Sequence, residues 1–145
     1  MIAVIQRVKR ASVTIEDTVY SEIKQGILIL LGVEKGDTHE QADFLSNKIC
    51  GLRFFEDENE KMNLSVQDIQ GELLVVSQFT LAGNCKKGKR PSFDNAAAPD
   101  EAIPLYEYFV KSCQENNLAV KTGKFGASME VALVNDGPVT FILSK

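Results

Sequence analysis

The chain has 145 residues, of which 44% are hydrophobic and 25% charged, and its formal net charge is −4 at pH 7. This length predicts a single domain over residues 1–145, with a core large enough to fold alone. The acidic total charge argues against a protein that coats nucleic acid, and no apolar run is long enough to span a membrane.

Apolar residues predict strands in the first third of the chain. They alternate with polar residues from Val8 to Val19, with a turn at 17–18. The continuous apolar run at 27–31 is typical of a strand buried on both faces. The opening segment 1–7 lacks the charge and apolar order of a signal peptide and is itself predicted to be a strand.

A first helix is predicted after this sheet segment. It begins at Asp37 or Thr38, either of which can form a capping box, and ends at Gly51. A strand over 52–55 follows, and the polar segment 56–63 is predicted to be a loop or the tip of a hairpin.

A second helix is predicted from residue 99 or 100 to Asn116, with an apolar stripe at helical spacing. It follows a clear strand over 72–79 and a long basic loop over 83–98. Loops of this length inside a compact domain are usually functional or mobile.

Two apolar runs close the chain, at 131–134 and 139–143, on either side of NDGP at 135–138. This pattern predicts a hairpin. Asn-Gly or Asp-Gly would suffice for a tight turn, whereas Pro138 fixes a backbone dihedral and removes an amide donor. The segment is therefore either a stable turn with no further role or a backbone segment whose rigidity has a function.

The resulting order, β-β-β-α-β-β-α-β-β, predicts an α+β domain with a mainly antiparallel, barrel-like sheet and two helices. No glycine-rich dinucleotide or Walker motif is present, and we expect no cofactor. Cys50, Cys85 and Cys113 are odd in number and widely spaced, which is typical of neither a disulfide framework nor a zinc site. We therefore expect a reducing compartment, the cytoplasm, and no metal.

His39 is the only histidine, so a Ser-His-Asp or Cys-His site is close to excluded. The polar residues Ser77, Gln78 and Thr80 surround Phe79 at the end of a predicted strand. They could simply terminate that strand, and spacing alone favours this interpretation. At the end of a strand, backbone N–H groups are also no longer hydrogen-bonded within the sheet, so they can bind an oxyanion.

Four of the five residues at 86–90 are basic: Lys86, Lys87, Lys89 and Arg90. From charge alone they form either a solvated loop or a local patch for a phosphate-rich ligand.

Two segments, SQFTL at 77–81 and NDGPVT at 135–140, strongly resemble the signature motifs of the D-aminoacyl-tRNA deacylase family. The resemblance runs from end to end and includes IQRV at 5–8, KGKRPSF at 87–93 and GASMEV at 126–131. It implies a homodimer that hydrolyses the ester joining a D-amino acid, or glycine, to the terminal adenosine of tRNA.

The resemblance also implies how L-amino acids are rejected. The Gly137–Pro138 peptide bond would be cis, and this turn would enter the active site of the partner subunit. Its rigid backbone carbonyls would face the substrate ammonium group and leave no room for an L side chain. Arg7 matches the position of an arginine that braces the turn.

The remaining site residues follow from the same resemblance. Backbone N–H groups near Phe79 and Thr80 would hold the oxyanion, and Gln78 would position the reacting end. Ser77 and Phe79 would shape the adenosine pocket. Met129 would line the adenosine or aminoacyl pocket, although a core methionine is almost as consistent with its position.

An aminoacyl ester is already activated, so water, orientation and the tRNA 2′-OH could suffice for catalysis. A rival scheme within the family makes the Thr80 hydroxyl the nucleophile, but no base is evident to activate it. The basic residues at 86–90 would hold the acceptor stem through phosphates, without reading sequence.

Two other classes of function stay open at this point. One is a nucleic-acid-binding module without catalysis, supported by the basic loop. The other is a small-molecule esterase that uses Thr80.

Overall fold

One 14-residue strand organises the sheet in the computed structural model, which describes residues 1–145. The strands are β1 (Ile2–Ile15), β2 (Thr18–Ile23), β3 (Gly26–Gly32), β4 (Phe55–Glu56), β5 (Met62–Leu64), β6 (Glu72–Ser77), β7 (Ala119–Thr122) and β8 (Glu130–Ser144). The helices are α1 (His39–Gly51), α2 (Pro99–Gln114) and a single 3-10 turn, Phe79–Ala82.

The strand order of the main sheet is β2-β1-β3-β6-β7, and β8 pairs with the other edge of β1. Strand β1 is antiparallel to β2, β3 and β8, whereas β3–β6 and β6–β7 are parallel. The predicted α+β class, mainly antiparallel with two helices, is confirmed. The two parallel pairs were not predicted, because the β4–β5 hairpin interrupts the first β-α-β unit in the sequence.

The two ends of this strand order meet, which makes the sheet nearly a barrel. The Oγ atom of Ser21 in β2 donates a hydrogen bond of 2.8 Å to the carbonyl oxygen of Thr122 in β7. One cluster of buried residues, including Val13 and Leu74, fills the interior. A larger cluster, including Ile29 and Phe109, lies between the sheet and the two helices.

Helix α1 begins as its sequence predicts. Thr38 is the N-cap and forms a capping box with Gln41, whose Oε1 accepts from the Thr38 amide at 2.8 Å. Helix α2 begins at Pro99 as expected and ends at Gln114, slightly before the predicted Asn116. Neither helix combines the length and the apolarity needed to cross a lipid bilayer.

The predicted hairpin at the end of the chain is wrong. Both apolar runs belong to β8, and both pair with β1 in the same antiparallel direction. The pairing jumps from Gln6–Thr140 to Val8–Asn135, so that Arg7 alone opposes residues 136–139. The four residues form a bulge in one long strand because β1 offers a continuous partner along its whole length.

Candidate active site

A cleft of about 550 Å³ lies at the carboxyl ends of the parallel strands β3 and β6. Ligands of sheets with parallel strands commonly bind at such ends. The N-terminus of α2 and the start of β8 form the other walls. The lining residues are Val33, Val76, Ser77, Gln78, Phe79, Ala97, Pro99, Ala102, Phe125, Gly126, Ala127, Met129 and Val131.

Strand β6 stops abruptly at this cleft. The amide of Gln78 donates a last sheet-like bond of 2.8 Å to the Leu31 carbonyl, and the 3-10 turn begins at Phe79. The turn itself offers no acceptor for its first two N–H groups, those of Phe79 and Thr80. Gly32 permits this close packing, since a Cβ there would lie 3.0 Å from the Gln78 carbonyl oxygen.

The side chains of the segment 77–80 divide between the cleft and its rim. Ser77, Gln78 and Phe79 line the cleft, and Phe79 is 54% exposed. Thr80 is exposed and does not line it. The Nε2 atom of Gln78 donates a short hydrogen bond to the Thr80 hydroxyl. The Thr80 oxygen thus accepts from an amide, and no side chain accepts a hydrogen bond from its hydroxyl.

Met129 lies in the cleft wall. Its sulfur accepts a hydrogen bond of 3.4 Å from the amide of Lys124. A Cβ at position 123 would come within 2.8 Å of the same sulfur, so Gly123 leaves the space that Met129 fills. The half-buried side chain thus lines the cleft with Ser77 and Gln78 and also packs against the core cluster that contains Val13 and Leu74.

The basic loop begins at the rim of the cleft. Reciprocal backbone bonds between Asn84 and Ser92, of 2.7 and 3.0 Å, close it at its base. The ring of Phe93 meets the ring of Phe79 with centroids 5.1 Å apart. The four basic residues of the loop are exposed and pair with no carboxylate: Lys86, Lys87, Lys89 and Arg90.

The bulge in β8 has a cis peptide bond between Gly137 and Pro138, as the resemblance implies. Nε of Arg7 donates to the Asp136 carbonyl at 2.8 Å, and Oδ1 of Asn135 accepts from the amide of Val139 at 2.9 Å. Gly137 has a φ of +141°, and a Cβ there would lie 2.6 Å from the Val139 side chain. The bulge is therefore closed by side chains on both flanks.

The bulge and its arginine do not belong to the cleft of their own chain. None of Arg7, Gly137 and Pro138 is among the lining residues. Gly137 and Pro138 are exposed on the outer side of the sheet, whereas Arg7 is buried behind them. One chain therefore brings together Ser77, Gln78, Phe79 and Met129 but leaves the turn apart.

Some lining residues were not predicted from sequence. Phe125 directly precedes the GASMEV segment and forms one wall, and Pro99 and Ala102 come from the first turn of α2. Small and apolar residues of this kind carry no chemical signal in a sequence. His39 packs against Tyr108 with ring centroids 4.1 Å apart and takes no part in the cleft.

No group of three or more His, Cys, Asp or Glu side chains is arranged to hold a metal ion. The polar side chains that line the cleft are one hydroxyl, of Ser77, and one carboxamide, of Gln78, beside the exposed ring of Phe79.

The family model described as D-Tyr-tRNA(Tyr) deacylase matches residues 4–144. The chain belongs to this family. The family predicted from the motifs at 77–81 and 135–140 is therefore confirmed.

Two relatives illustrate the similarity, both named D-aminoacyl-tRNA deacylase. The protein of Geotalea uraniireducens is 62% identical over 143 residues, which cover 99% of this chain and 92% of the relative. The protein of Pelobacter propionicus is 59% identical over 145 residues, which cover all of both chains.

Two solved structures share the fold. One, named c-Myc DNA Unwinding Element Binding Protein, has a TM-score of 0.94 and 44% identity, and covers 100% of this chain and 99% of its own. Another, described as a probable eukaryotic D-amino acid tRNA deacylase, has a TM-score of 0.84, covers 99% and 98% of the two chains, and is 17% identical. The latter likeness concerns the fold alone.

Proposed function

We propose that this protein hydrolyses the ester bond of D-aminoacyl-tRNA, and of glycyl-tRNA, and releases the free amino acid and the tRNA. The match of the family model over residues 4–144 carries the proposal. The cleft agrees with it, because its wall at 77–79 combines hydrogen-bonding groups with an exposed aromatic ring. Such a wall suits a nucleoside that carries an ester.

The reaction needs little beyond orientation and charge stabilisation, since an aminoacyl ester is already activated. The amides of Phe79 and Thr80, which have no acceptor within the 3-10 turn, would hold the developing oxyanion. A positioned donor of this kind contributes about 10²–10³ in rate. Gln78 would orient the reacting carbonyl, and the ribose 2′-OH of the terminal adenosine would assist proton transfer to the leaving oxygen.

Water, rather than Thr80, is the proposed nucleophile. The Thr80 oxygen accepts a hydrogen bond from the Gln78 amide, and this contact does not remove the hydroxyl proton. No histidine is near, since His39 packs on Tyr108. A covalent acyl-threonine scheme lacks the base that it requires.

The adenosine would stack on Phe79, beside Ser77 and Met129. The basic residues Lys86, Lys87, Lys89 and Arg90 would then bind phosphates of the acceptor stem. They are exposed and free of carboxylate partners, and the Phe79–Phe93 contact ties their loop to the cleft. Phosphate contacts of this kind position a nucleic acid without reading its sequence. Aminoacyl-tRNA as the substrate implies a cytoplasmic protein.

Chirality selection is assigned to the turn at Gly137–Pro138. The turn is exposed, braced by Arg7 from behind, and does not line the cleft of its own chain. A second copy would therefore have to supply it to the cleft. Its backbone would exclude an L side chain and admit a D-amino acid or glycine.

A homodimer follows from that assignment. The half of β8 after the turn exposes Phe141 and Ile142, whose exposed fractions are 42% and 73%. Exposed apolar side chains on an edge strand beside the turn favour a protein contact there. The active site would then be complete only in the dimer.

A nucleic-acid-binding role without catalysis is the second candidate. It is supported by the basic loop and by the likeness to the 44% identical structure, since the name of that protein states that it binds a DNA element. The family model that matches residues 4–144 is described as a deacylase, so this alternative ranks second.

One assay separates these functions. The protein is incubated with D-aminoacyl-tRNA, L-aminoacyl-tRNA and a small aminoacyl ester, and ester loss is followed over time. Selective loss of the D ester on tRNA supports the proposal. Binding without turnover supports the nucleic-acid module, and hydrolysis that is indifferent to tRNA supports a small-molecule esterase.

A further inference from the structure

The buried guanidinium of Arg7 has two carboxylate partners, and only one of them is shared with another cation. Its side chain is 6% exposed, so its charge is costly unless it is paired. Its Nη2 lies 3.3 Å from Oε1 of Glu56, and its Nε lies 3.8 Å from Oδ2 of Asp136. Asp136 also faces Nζ of Lys9 at 3.9 Å, whereas Glu56 pairs with Arg7 alone.

The hydrogen bonds of Arg7 join two separate parts of the fold. Nη1 donates to the carbonyl of Phe54, the residue before β4, at 3.2 Å, and Nη2 donates to Glu56 in β4 at 3.3 Å. Nε donates to the Asp136 carbonyl at 2.8 Å, next to Gly137. Arg7 thus links the β4–β5 hairpin to the bulge of β8.

The hairpin is a firm support for this link. The rings of Phe54 and Phe55 are 0% and 2% exposed and anchor it in the core. The amide of Phe54 donates to the Leu64 carbonyl at 2.8 Å. The Phe54 ring also meets the ring of Phe141, with centroids 5.5 Å apart, on the other side of the bulge.

We propose that Glu56 is a positioning residue for chirality selection. It holds the Arg7 guanidinium in one orientation, and Arg7 in turn holds the Asp136 carbonyl and the Gly137–Pro138 turn in one place. This inference rests on the proposed function, which gives the turn its selective role.

Loss of the Glu56 carboxylate should change hydrolysis of the L ester more than hydrolysis of the D ester. Exclusion of an L side chain depends on steric repulsion at short range, which decreases steeply when the turn is free to move. The D ester directs no side chain at the turn, and Glu56 lies outside the cleft of its own chain. Loss of the carboxylate should therefore relax selectivity while the D ester is still hydrolysed.

Three variants test the role of Glu56. Glu56→Ala removes the partner of Arg7, and Glu56→Gln keeps an oxygen acceptor of the same reach without its charge. Glu58→Ala, at an exposed position on the same hairpin without an ion pair, is the matched control. The readout is kcat/KM on L-aminoacyl-tRNA divided by kcat/KM on D-aminoacyl-tRNA.

We expect Glu56→Ala to raise the L-to-D ratio about tenfold, below the ~10²-fold that a 1 Å displacement can cause. Glu56→Gln should raise it about threefold, because a neutral hydrogen bond is roughly half as strong as a charged one. Glu58→Ala should leave the ratio unchanged.

A second readout does not depend on activity. The Arg7 Nε–H signal in a ¹⁵N-correlated NMR spectrum reports how well that proton is protected from exchange with water. We expect exchange about tenfold faster in Glu56→Ala, with little change in Glu58→Ala.

The outcomes distinguish the role of Glu56 from the proposed function. A wild-type L-to-D ratio in Glu56→Ala overturns the inference, and so does an equal loss on both esters that accompanies lower thermal stability. If the wild-type protein fails to hydrolyse the D ester, the proposed function falls. The Arg7 exchange rate then still decides whether Glu56 holds the guanidinium.

Discussion

The rings of Phe79 and Phe93 meet edge to face, with centroids 5.1 Å apart and an interplanar angle of 62°. Phe79 belongs to the cleft and Phe93 to the base of the basic loop. Gly83 makes the contact possible, because a Cβ there would lie 3.0 Å from the Phe93 ring. The loop and the cleft are therefore mechanically connected.

Removal of the Phe93 ring should weaken substrate binding. The aromatic pair contributes about 0.5–1.5 kcal/mol beyond its buried area, so Phe93→Ala should raise KM about two- to twelvefold with a smaller change in kcat. Steady-state kinetics on D-aminoacyl-tRNA measure this. Phe44→Ala, at a half-exposed aromatic position on α1, is the control, and an equal effect there would contradict the prediction.

Neutralising the basic loop should raise KM and leave kcat on bound substrate nearly unchanged. The variant replaces Lys86, Lys87, Lys89 and Arg90 with glutamine. The slope of log affinity against log salt concentration is negative for phosphate contacts. If all four residues contact phosphates, its magnitude should be smaller by about 3 in the variant. Replacing the exposed residues Lys48 and Lys61 in the same way should change neither quantity. An unchanged KM in the loop variant would remove the loop from tRNA binding.

Thr80→Ala should remain active. Its hydroxyl accepts from the Gln78 amide and is not activated by a base, so kcat should decrease by less than about tenfold. Loss of a true nucleophile costs about 10⁴-fold or more. Thr80→Ser keeps the hydroxyl and serves as the control. Detection of an acyl-protein adduct by mass spectrometry in the wild type would count against the water mechanism.

Gly137→Ala should destabilise the protein and impair the turn. The φ of +141° and a Cβ 2.6 Å from the Val139 side chain are both unfavourable, at a combined cost of about 2–4 kcal/mol. Gly36→Ala is a matched control, because Gly36 also has a positive φ, +85°, but open space around it. That change should cost about 1–2 kcal/mol. Chemical denaturation compares the two, and equal losses would show that the bulge has room for a side chain.

The β4–β5 hairpin should lose local order in acid. Hydrogen bonds from the Asn63 side chain and from the amides of Lys61 and Asn59 hold the pKa of Asp57 below its usual range. Because the pKa of Asp57 is lower in the folded state than in the unfolded state, its carboxylate stabilises the hairpin fully at a pH above the unfolded-state pKa. This stabilisation is lost as the pH falls through the folded-state pKa.

Amide hydrogen exchange at Asn59 and Lys61 measures this pH dependence. Protection should decrease at a pH below about 4, the pKa of an unperturbed aspartate. Asp57→Asn keeps an oxygen acceptor but does not titrate, so its protection should not vary with pH in this range. The same pH dependence in Asp57→Asn would show that another group is responsible.

Local sequence patterns were sufficient to predict several features of this fold. The capping box at Thr38 and the start of α2 at Pro99 depend on residues within a few positions of each other, and both lie where the sequence predicts. The motifs at 77–81 and 135–140 likewise identified the family from contiguous residues. The interactions that define these features are short in sequence, so the sequence by itself determines them.

Pairing between distant strands was decided only by the tertiary structure. The tail 131–143 was predicted to fold back on itself, yet both halves pair with β1 because that strand is long enough to accept them in one direction. The salt bridge between Arg7 and Glu56 joins residues that no motif connects. Local propensity cannot reveal such contacts, since they depend on which strand edges the completed core leaves available.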